Sequence, residues 1–294
     1  MQGTIIKGIG GFYYVDVPLK GLYECKGKGI FRNQKIRLLP GDHVIIDVLD
    51  ESEKTGHIIQ ILDRRNELVR PAVSNVDQVL VVFAIADPNP NLQLIDRYLL
   101  LMERQRIPVI LCFNKMDLSD KDKKSRLSRT YAGAGCNLAF ISTYHPETLL
   151  PVRDMIHNKI TVLAGPSGVG KSSLLNQLIP EAEAKTGEIS EKIRRGKHTT
   201  RHSELRKAGQ DTYIIDTPGF STLYLDDFTK DELKNYYPEF EPYENQCRFL
   251  PCSHIHEPDC AVKQAVEAKE ISKLRYRNYV SFYEELAEKE KHRY

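Results

Sequence analysis

The residues with the clearest chemical meaning form a glycine-rich loop near the middle of the chain. The segment 165–172, GPSGVGKS, matches the pattern GxxxxGK[ST] and lies between an apolar run, Ile160–Ala164, and an apolar helical pattern from Lys171 to Leu178. A strand, a glycine turn and a helix start in this order bring backbone N–H groups and the positive end of a helix dipole onto a phosphate. Lys171 is expected to reach the β- and γ-phosphates, and Ser172 to ligate Mg²⁺. The predicted phosphate-binding residues are Gly165, Pro166 (which has no N–H), Ser167, Gly168, Val169, Gly170, Lys171, Ser172 and Ser173.

A second motif, which contains an acidic residue, follows the phosphate loop. Asp216-Thr-Pro-Gly219 ends the apolar run Tyr213–Ile215. A carboxylate there can hold Mg²⁺ through water, while the N–H of Gly219 faces the γ-phosphate. The motif is only a turn when it stands alone, but it is expected after a phosphate loop.

A third motif predicts which base is bound. Asn114, Lys115, Met116 and Asp117 close the apolar run Val109–Phe113. The Asp117 carboxylate can accept hydrogen bonds from N1–H and the 2-amino group of guanine, and adenine offers neither donor, so unpaired polar groups would reject ATP. We therefore predict a GTP site. A candidate loop on the guanine side is formed by Ser142 and Thr143.

A cysteine-rich stretch near the C-terminus predicts a metal centre. Cys247, Cys252, His254 and Cys260 supply three thiolates and an imidazole, enough for a closed tetrahedral Zn²⁺ site of a structural kind. His256 is a competing ligand.

Five short strands are predicted to form the N-terminal region. The runs 4–7, 12–17, 22–26, 42–49 and 58–62 are rich in β-branched and aromatic residues and are separated by glycine corners. Five such strands suggest a small closed barrel of the OB-fold type. A basic loop between the third and fourth strands, residues 26–37, favours nucleic acid over a merely solvated surface.

The middle and the end of the chain differ in their residue patterns. The apolar run Val79–Ala86, a helical pattern over Leu92–Gln105 and the run Val109–Phe113 predict an α/β domain with a parallel sheet. Residues 66–75 are interpreted as a linker. The charged tail places aromatic residues at helical spacing, and packing against the protein is preferred to RNA stacking for that face.

Composition limits the class of protein. The 294 residues predict two or three domains, and 42 Lys plus Arg against 40 Asp plus Glu give a net charge of +2, which excludes a histone-like polycation. The longest apolar run is far short of the ~20 residues that span a bilayer, and the N-terminus lacks the apolar block of a signal peptide. Six cysteines fit a reducing compartment, so a cytoplasmic protein without membrane partners is expected.

The order of the motifs is rearranged. In ordinary GTPases the phosphate loop comes first and the NKxD motif last, whereas here NKMD at 114 precedes the loop at 165 and DTPG follows at 216. The chain is therefore predicted to be circularly permuted. Together with the barrel and the cysteines, this order resembles the RsgA family (also called YjeQ, YloQ or CpgA) of small-ribosomal-subunit GTPases, over essentially the whole chain.

The resemblance implies a set of activities and partners. It implies GTP hydrolysis to GDP stimulated by the 30S ribosomal subunit, a role in late maturation of that subunit, and contact with 16S rRNA. It also favours His254 over His256 as the fourth zinc ligand. The loop at Ser142 and Thr143 departs from the family, which usually has Ser followed by Ala or Ser.

The segment between the phosphate loop and DTPG is predicted to be switch I. A threonine there can complete the Mg²⁺ shell, and Thr199 and Thr200 are equal candidates. Residues 192–207 carry seven Lys or Arg, which suit either an rRNA grip or a solvated loop. Phe220 stands where many GTPases place the glutamine that orients water, so slow turnover is expected without the ribosome, and His198 is the candidate for that task.

We therefore predict a monomer of three parts. They are an OB-fold RNA-binding barrel over 1–65, a circularly permuted GTPase domain over 66–222 and a mainly helical zinc-binding domain over 223–294. One alternative is an ATPase or kinase acting on a small molecule, against which Asp117 argues. Another is an RNA-binding scaffold whose nucleotide turns over weakly, which Phe220 keeps open.

Overall fold

The computed structural model describes residues 1–29, 31, 36–69, 71–179, 204–216 and 223–292. The strands in these ranges are β1 Gln2–Ile9, β2 Phe12–Val17, β3 Gly21–Gly27, β4 His43–Asp50, β5 Thr55–Ile61, β6 Glu67–Leu68, β7 Val73–Ser74, β8 Gln78–Ala84, β9 Val109–Asn114, β10 Asn137–Phe140, β11 Ile160–Ala164, β12 Leu205–Gly209 and β13 Thr212–Asp216. The α-helices are α1 Leu92–Arg104, α2 Lys121–Tyr131, α3 Leu150–Ile156, α4 Lys171–Leu178, α5 Ala261–Glu267 and α6 Lys273–Lys291. No helix within these ranges is both long and apolar enough to cross a bilayer.

The N-terminal strands close into a barrel in the order β1-β2-β3-β5-β4. Neighbours pair antiparallel except β3 and β5, which are parallel. The order confirms the predicted OB-type barrel, and each strand lies within about three residues of its predicted limits. Gly10 and Gly11, at φ of 61° and 87°, turn β1 into β2 in a region that glycine adopts without strain. The barrel is filled by apolar side chains from its strands and from the connection between β3 and β4. The strands supply Ile5, Val15, Val17, Tyr23, Cys25, Val44, Ile46 and Ile58, and the connection supplies Phe31 and Leu38.

Six further strands form a sheet in the order β10-β9-β8-β11-β13-β12. The pairs β10–β9 and β11–β13 are parallel, and β12 adds antiparallel to β13. Strands β8, β9 and β11 are buried at every position, which explains why they are continuous apolar runs rather than alternating ones. The parallel α/β sheet is therefore confirmed.

The segment predicted as a linker, residues 66–75, contains regular structure in its described residues, 66–69 and 71–75. Strand β6 pairs antiparallel with β7, and Asn75 is fully buried. The Asn75 side-chain amide donates to the carbonyl of Gly41 at 2.9 Å, and Asn66 exchanges two hydrogen bonds with the backbone of Val76. The linker prediction was wrong because asparagine and proline suggest a loop, whereas here asparagine amides serve as partners for buried backbone groups.

The chain divides into two compact units, which interleave along the sequence. One comprises Met1–Leu80, His145–Ala164 and Gly170–Pro218, and the other Val81–Tyr144, Gly165–Val169 and Gly219–Tyr294. The second unit contains α1, β9, β10 and the C-terminal helices.

The C-terminal region is built on aromatic packing. On α6, the side chains of Tyr279, Phe282 and Leu286 are each at most 2% exposed, so packing is confirmed as the use of that face. Thr229 and Glu232 form a capping box, since the backbone N–H group of each donates to the other's side chain. It precedes a 3₁₀ turn, Leu233–Tyr236, rather than an α-helix.

Candidate nucleotide site and metal centre

The phosphate loop joins β11 to α4 and depends on glycine. Gly165, Gly168 and Gly170 have φ of 137°, 80° and 90°. A Cβ on Gly165 would lie 2.1 Å from the carbonyl oxygen of Val82, a backbone atom that cannot move aside. The loop therefore runs against β8 at a distance that only glycine permits, while Ser167, Gly168, Ser172 and Ser173 are exposed to an incoming ligand.

A buried asparagine joins the NKMD segment to the phosphate loop. Asn114, at the end of β9, is fully buried, and its Nδ2 donates to the carbonyl of Val169 at 2.9 Å. Its Oδ1 accepts from the backbone N–H of Thr143 at 3.3 Å. One amide thus connects three segments that the sequence separates by tens of residues.

Asp117, whose carboxylate is predicted to read the base, is held by Ser142. The hydroxyl of Ser142 donates to Oδ1 of Asp117, and the backbone N–H of Tyr144 donates to Ser142 Oγ at 3.2 Å. Ser142 is buried, whereas Asp117 and Tyr144 are exposed. The structure therefore brings the predicted guanine-side residues together around one exposed carboxylate.

Lys115 has a partner that no sequence pattern indicated. It adopts φ of 64°, and its ammonium donates to the backbone carbonyl of Asp87. Sequence reasoning missed this contact because every residue carries a carbonyl, so residue type gives no signal for it.

The Asp216 carboxylate acts electrostatically on the ammonium of Lys171. Burial lowers the pKa of Lys171, and the Asp216 carboxylate opposes that shift. The Oδ1 atom of Asp216 is buried and has no hydrogen-bond partner among the described residues. A buried carboxylate oxygen needs a cation or a donor, so the oxygen donors Asp216 and Ser172 fit the hard ion Mg²⁺.

The predicted zinc residues form one cluster. The ligand atoms of Cys247, Cys252, His254 and Cys260 lie within 4.8 Å of one another, and all four residues are buried. Zn–S bonds of about 2.3 Å in a tetrahedron imply S···S distances of about 3.8 Å. The sulfurs of Cys247 and Cys260 are 3.8 Å apart, and His254 Nδ1 lies 3.6 and 3.3 Å from them.

The chemistry of this cluster also suits zinc. Burial raises the pKa of Cys252 to about 12, so a cation is needed to keep its thiolate charged. Burial also lowers the pKa of His254, which favours the neutral imidazole that ligates metals. His254, not His256, belongs to the cluster. The site is closed by four protein ligands, as in structural zinc centres.

The loop that carries the ligands is braced by α6 and by a carboxylate. Tyr276 donates its hydroxyl to the carbonyl of His254 at 2.7 Å, and Tyr279 donates to the carbonyl of Ser253. His254 itself adopts φ of 61°. Burial works to raise the pKa of Glu257, but hydrogen bonds from the backbone and from the Ser253 hydroxyl lower it to about 2. Side chains outside the metal shell therefore fix the shape of this loop.

Several predicted residues lie outside the described ranges. They are His198, Thr199, Thr200, Gly219 and Phe220.

A phosphate loop connected to an NKxD segment that precedes it in the chain defines a circularly permuted GTPase. Residues 61–226 match the family model for the RsgA GTPase, and residues 2–58 match that for the RsgA N-terminal domain. The chain belongs to the RsgA GTPase family and is a GTP hydrolase.

Relatives named as small ribosomal subunit biogenesis GTPases align with nearly the whole chain. A small ribosomal subunit biogenesis GTPase RsgA from Agathobacter rectalis is 51% identical over 99% of this chain and 100% of its own. One from Alkaliphilus metalliredigens is 46% identical over 97% of both chains.

Two solved structures are similar to this chain in fold over nearly its whole length. YloQ, described as a circularly permuted GTPase, has a TM-score of 0.80 at 37% identity over 98% of this chain and 95% of its own. YjeQ from Thermotoga maritima has a TM-score of 0.81 at 35% identity over 97% and 98%.

Proposed function

We propose that this GTPase binds the small ribosomal subunit, acts in its late maturation, and hydrolyses GTP to GDP at a rate that the subunit stimulates. The observation that carries the nucleotide part is the bond from Asn114 to Val169, which ties the base-reading segment to the phosphate loop. The names of relatives at 51% and 46% identity support the ribosomal part.

Different residues bind the base and the phosphates of the nucleotide. Asp117 accepts the N1–H and 2-amino protons of guanine, while the backbone of residues 168–172 and the ammonium of Lys171 hold the phosphates. Ser172 and Asp216 would hold Mg²⁺, which when bound neutralises charge on the phosphate oxygens. The lowered pKa of Lys171 reflects a partly buried ammonium, whose charged form would be stabilised by the charge of a bound phosphate.

Hydrolysis requires an oriented water, and Phe220 cannot orient one. We assign that task to His198 once the subunit is bound, with Thr199 or Thr200 completing the Mg²⁺ shell. Groups ordered by a partner can raise such a rate about 10³- to 10⁵-fold. Full stimulated turnover in His198→Ala would exclude this role.

The barrel is proposed to contact 16S rRNA. Lys26 in β3, and Lys28 and Arg37 in the connection to β4, are exposed, and the ammonium of Lys26 lies 4.8 Å from the centre of the Phe12 ring. Exposed cations next to aromatic rings suit a nucleic-acid strand, because the cations can contact phosphates while the rings stack on bases. The zinc-bearing region is the second proposed rRNA contact, and DTPG leads into it within a few residues, so the γ-phosphate could govern affinity for the subunit.

The test is phosphate release with and without 30S subunits. We expect slow release alone, strong stimulation by subunits and loss of both in Lys171→Ala, with exposed Lys121→Ala unchanged as the matched control. Asp117→Asn should weaken GTP binding and favour xanthosine triphosphate, because the amide donates to the 2-oxo group of xanthine. Equal turnover with and without subunits, or equal binding of ATP and GTP by the unaltered chain, would contradict the proposal.

A further inference from the structure

We propose that Tyr144 forms one wall of the base pocket, stacking its ring on the guanine that Asp117 recognises. The inference rests on the proposed nucleotide site and adds a residue that the motifs do not include.

The backbone of Tyr144 is fixed relative to the specificity carboxylate. Its N–H donates to Ser142 Oγ at 3.2 Å, and the Ser142 hydroxyl donates to Asp117. The preceding residue, Thr143, donates its own N–H to the buried Asn114 amide. These three hydrogen bonds place the backbone of Tyr144 beside the carboxylate that must lie at the edge of the base.

The ring of Tyr144 is unusually open to solvent. The residue is 79% exposed, more than any other aromatic residue among the described exposed hydrophobics, where Tyr224 is 63% and Phe249 46%. Covering an exposed aromatic ring with a flat apolar surface lowers the free energy, because both surfaces leave water. A purine held at Asp117 presents such a surface.

Stacking predicts a specific pattern of losses. Removing an aromatic partner of a base costs about 1–3 kcal/mol, which is about 5- to 150-fold in affinity. GTP and GDP share the base, so both affinities should fall by the same factor. The turnover rate at saturating GTP should not change, because the ring does not touch the phosphates.

The experiment uses the full-length protein and two substitutions. Tyr144→Ala should weaken GDP and GTP equally, by about 5-fold or more, with the rate at saturation kept. Tyr144→Phe should stay within about 3-fold of the unaltered protein, because phenylalanine retains the stacking face. His145→Ala, which removes the neighbouring exposed ring, is the matched control and should bind normally.

A spectroscopic arm tests contact directly. The chain contains no tryptophan, so Tyr144→Trp introduces the sole indole, and its emission should change when GDP saturates the site. The inference is overturned if Tyr144→Ala binds both nucleotides as well as the unaltered protein, or if the indole emission ignores GDP. If instead the unaltered chain binds no guanine nucleotide, the proposed function itself fails. Should Tyr144→Ala not fold, the indole signal alone decides.

Discussion

Replacing Arg275 by methionine should release α6 from the rest of its unit. Arg275 is 2% exposed and donates to Asp96 Oδ1 at 2.6 Å and to Glu239 Oε2 at 3.0 Å. Its guanidinium also lies 5.0 Å from the centre of the Tyr237 ring. Methionine fills much of the volume but leaves two carboxylates without their cation.

The size of the effect follows from burial. Breaking a buried ion pair by removing one partner costs about 3–5 kcal/mol, because the remaining charge stays desolvated. That cost corresponds to an increase of about 150- to 5,000-fold in the equilibrium for opening the helix. Burial raises the pKa of Asp96 and Arg275 opposes that rise, so losing the cation raises the pKa further. A carboxyl group with a raised pKa in the folded state contributes stability at low pH, and this contribution is lost as the pH rises. Acidification should therefore restore part of the stability that the substitution removes.

Hydrogen exchange of the α6 amides measures this opening in the intact protein. The control on the same helix is Lys289→Ala, which removes surface ion pairs with Asp226 and Glu285 and should cost less than about 1 kcal/mol. Protection in Arg275→Met within about 3-fold of the unaltered chain, at neutral pH, would refute the argument that this cation is needed to bury the two acids.

Further predictions concern the metal centre and the phosphate loop. Cys252→Ser should reduce bound zinc from one per chain to almost none by elemental analysis, since three ligands cannot close the site. Tyr276→Phe should keep zinc on purification but lose it to a chelator about 10-fold faster. The reason is that the backbone carbonyl of the ligand His254 would lose the hydrogen bond that holds it. Gly165→Ala should abolish GDP binding in a titration, whereas Gly29→Ala, where an added Cβ meets nothing within 4 Å, should bind normally. If Tyr276→Phe loses zinc to the chelator at the same rate as the unaltered protein, or if Gly165→Ala binds GDP normally, these arguments are contradicted.

The amino-acid sequence alone determined the features that local spacing encodes. The phosphate loop and α4, Lys171–Leu178, were predicted with correct bounds because glycine positions and apolar periodicity act within a few residues. The five barrel strands were predicted for the same reason, since alternation and glycine corners are local signals. The rearranged order of the motifs is likewise a property of the chain itself.

Only the tertiary structure decided which distant groups meet. Asn114 binds the carbonyl of Val169, 55 residues away, and Arg275 neutralises Asp96 across 179 residues. Residues 66–75, whose composition suggested a linker, instead supply the buried amide of Asn75 to the backbone. In each case a buried polar group had to find a partner, and packing rather than residue spacing selected it. Backbone carbonyls are identical at every position, so the sequence could not indicate which of them a side chain would reach.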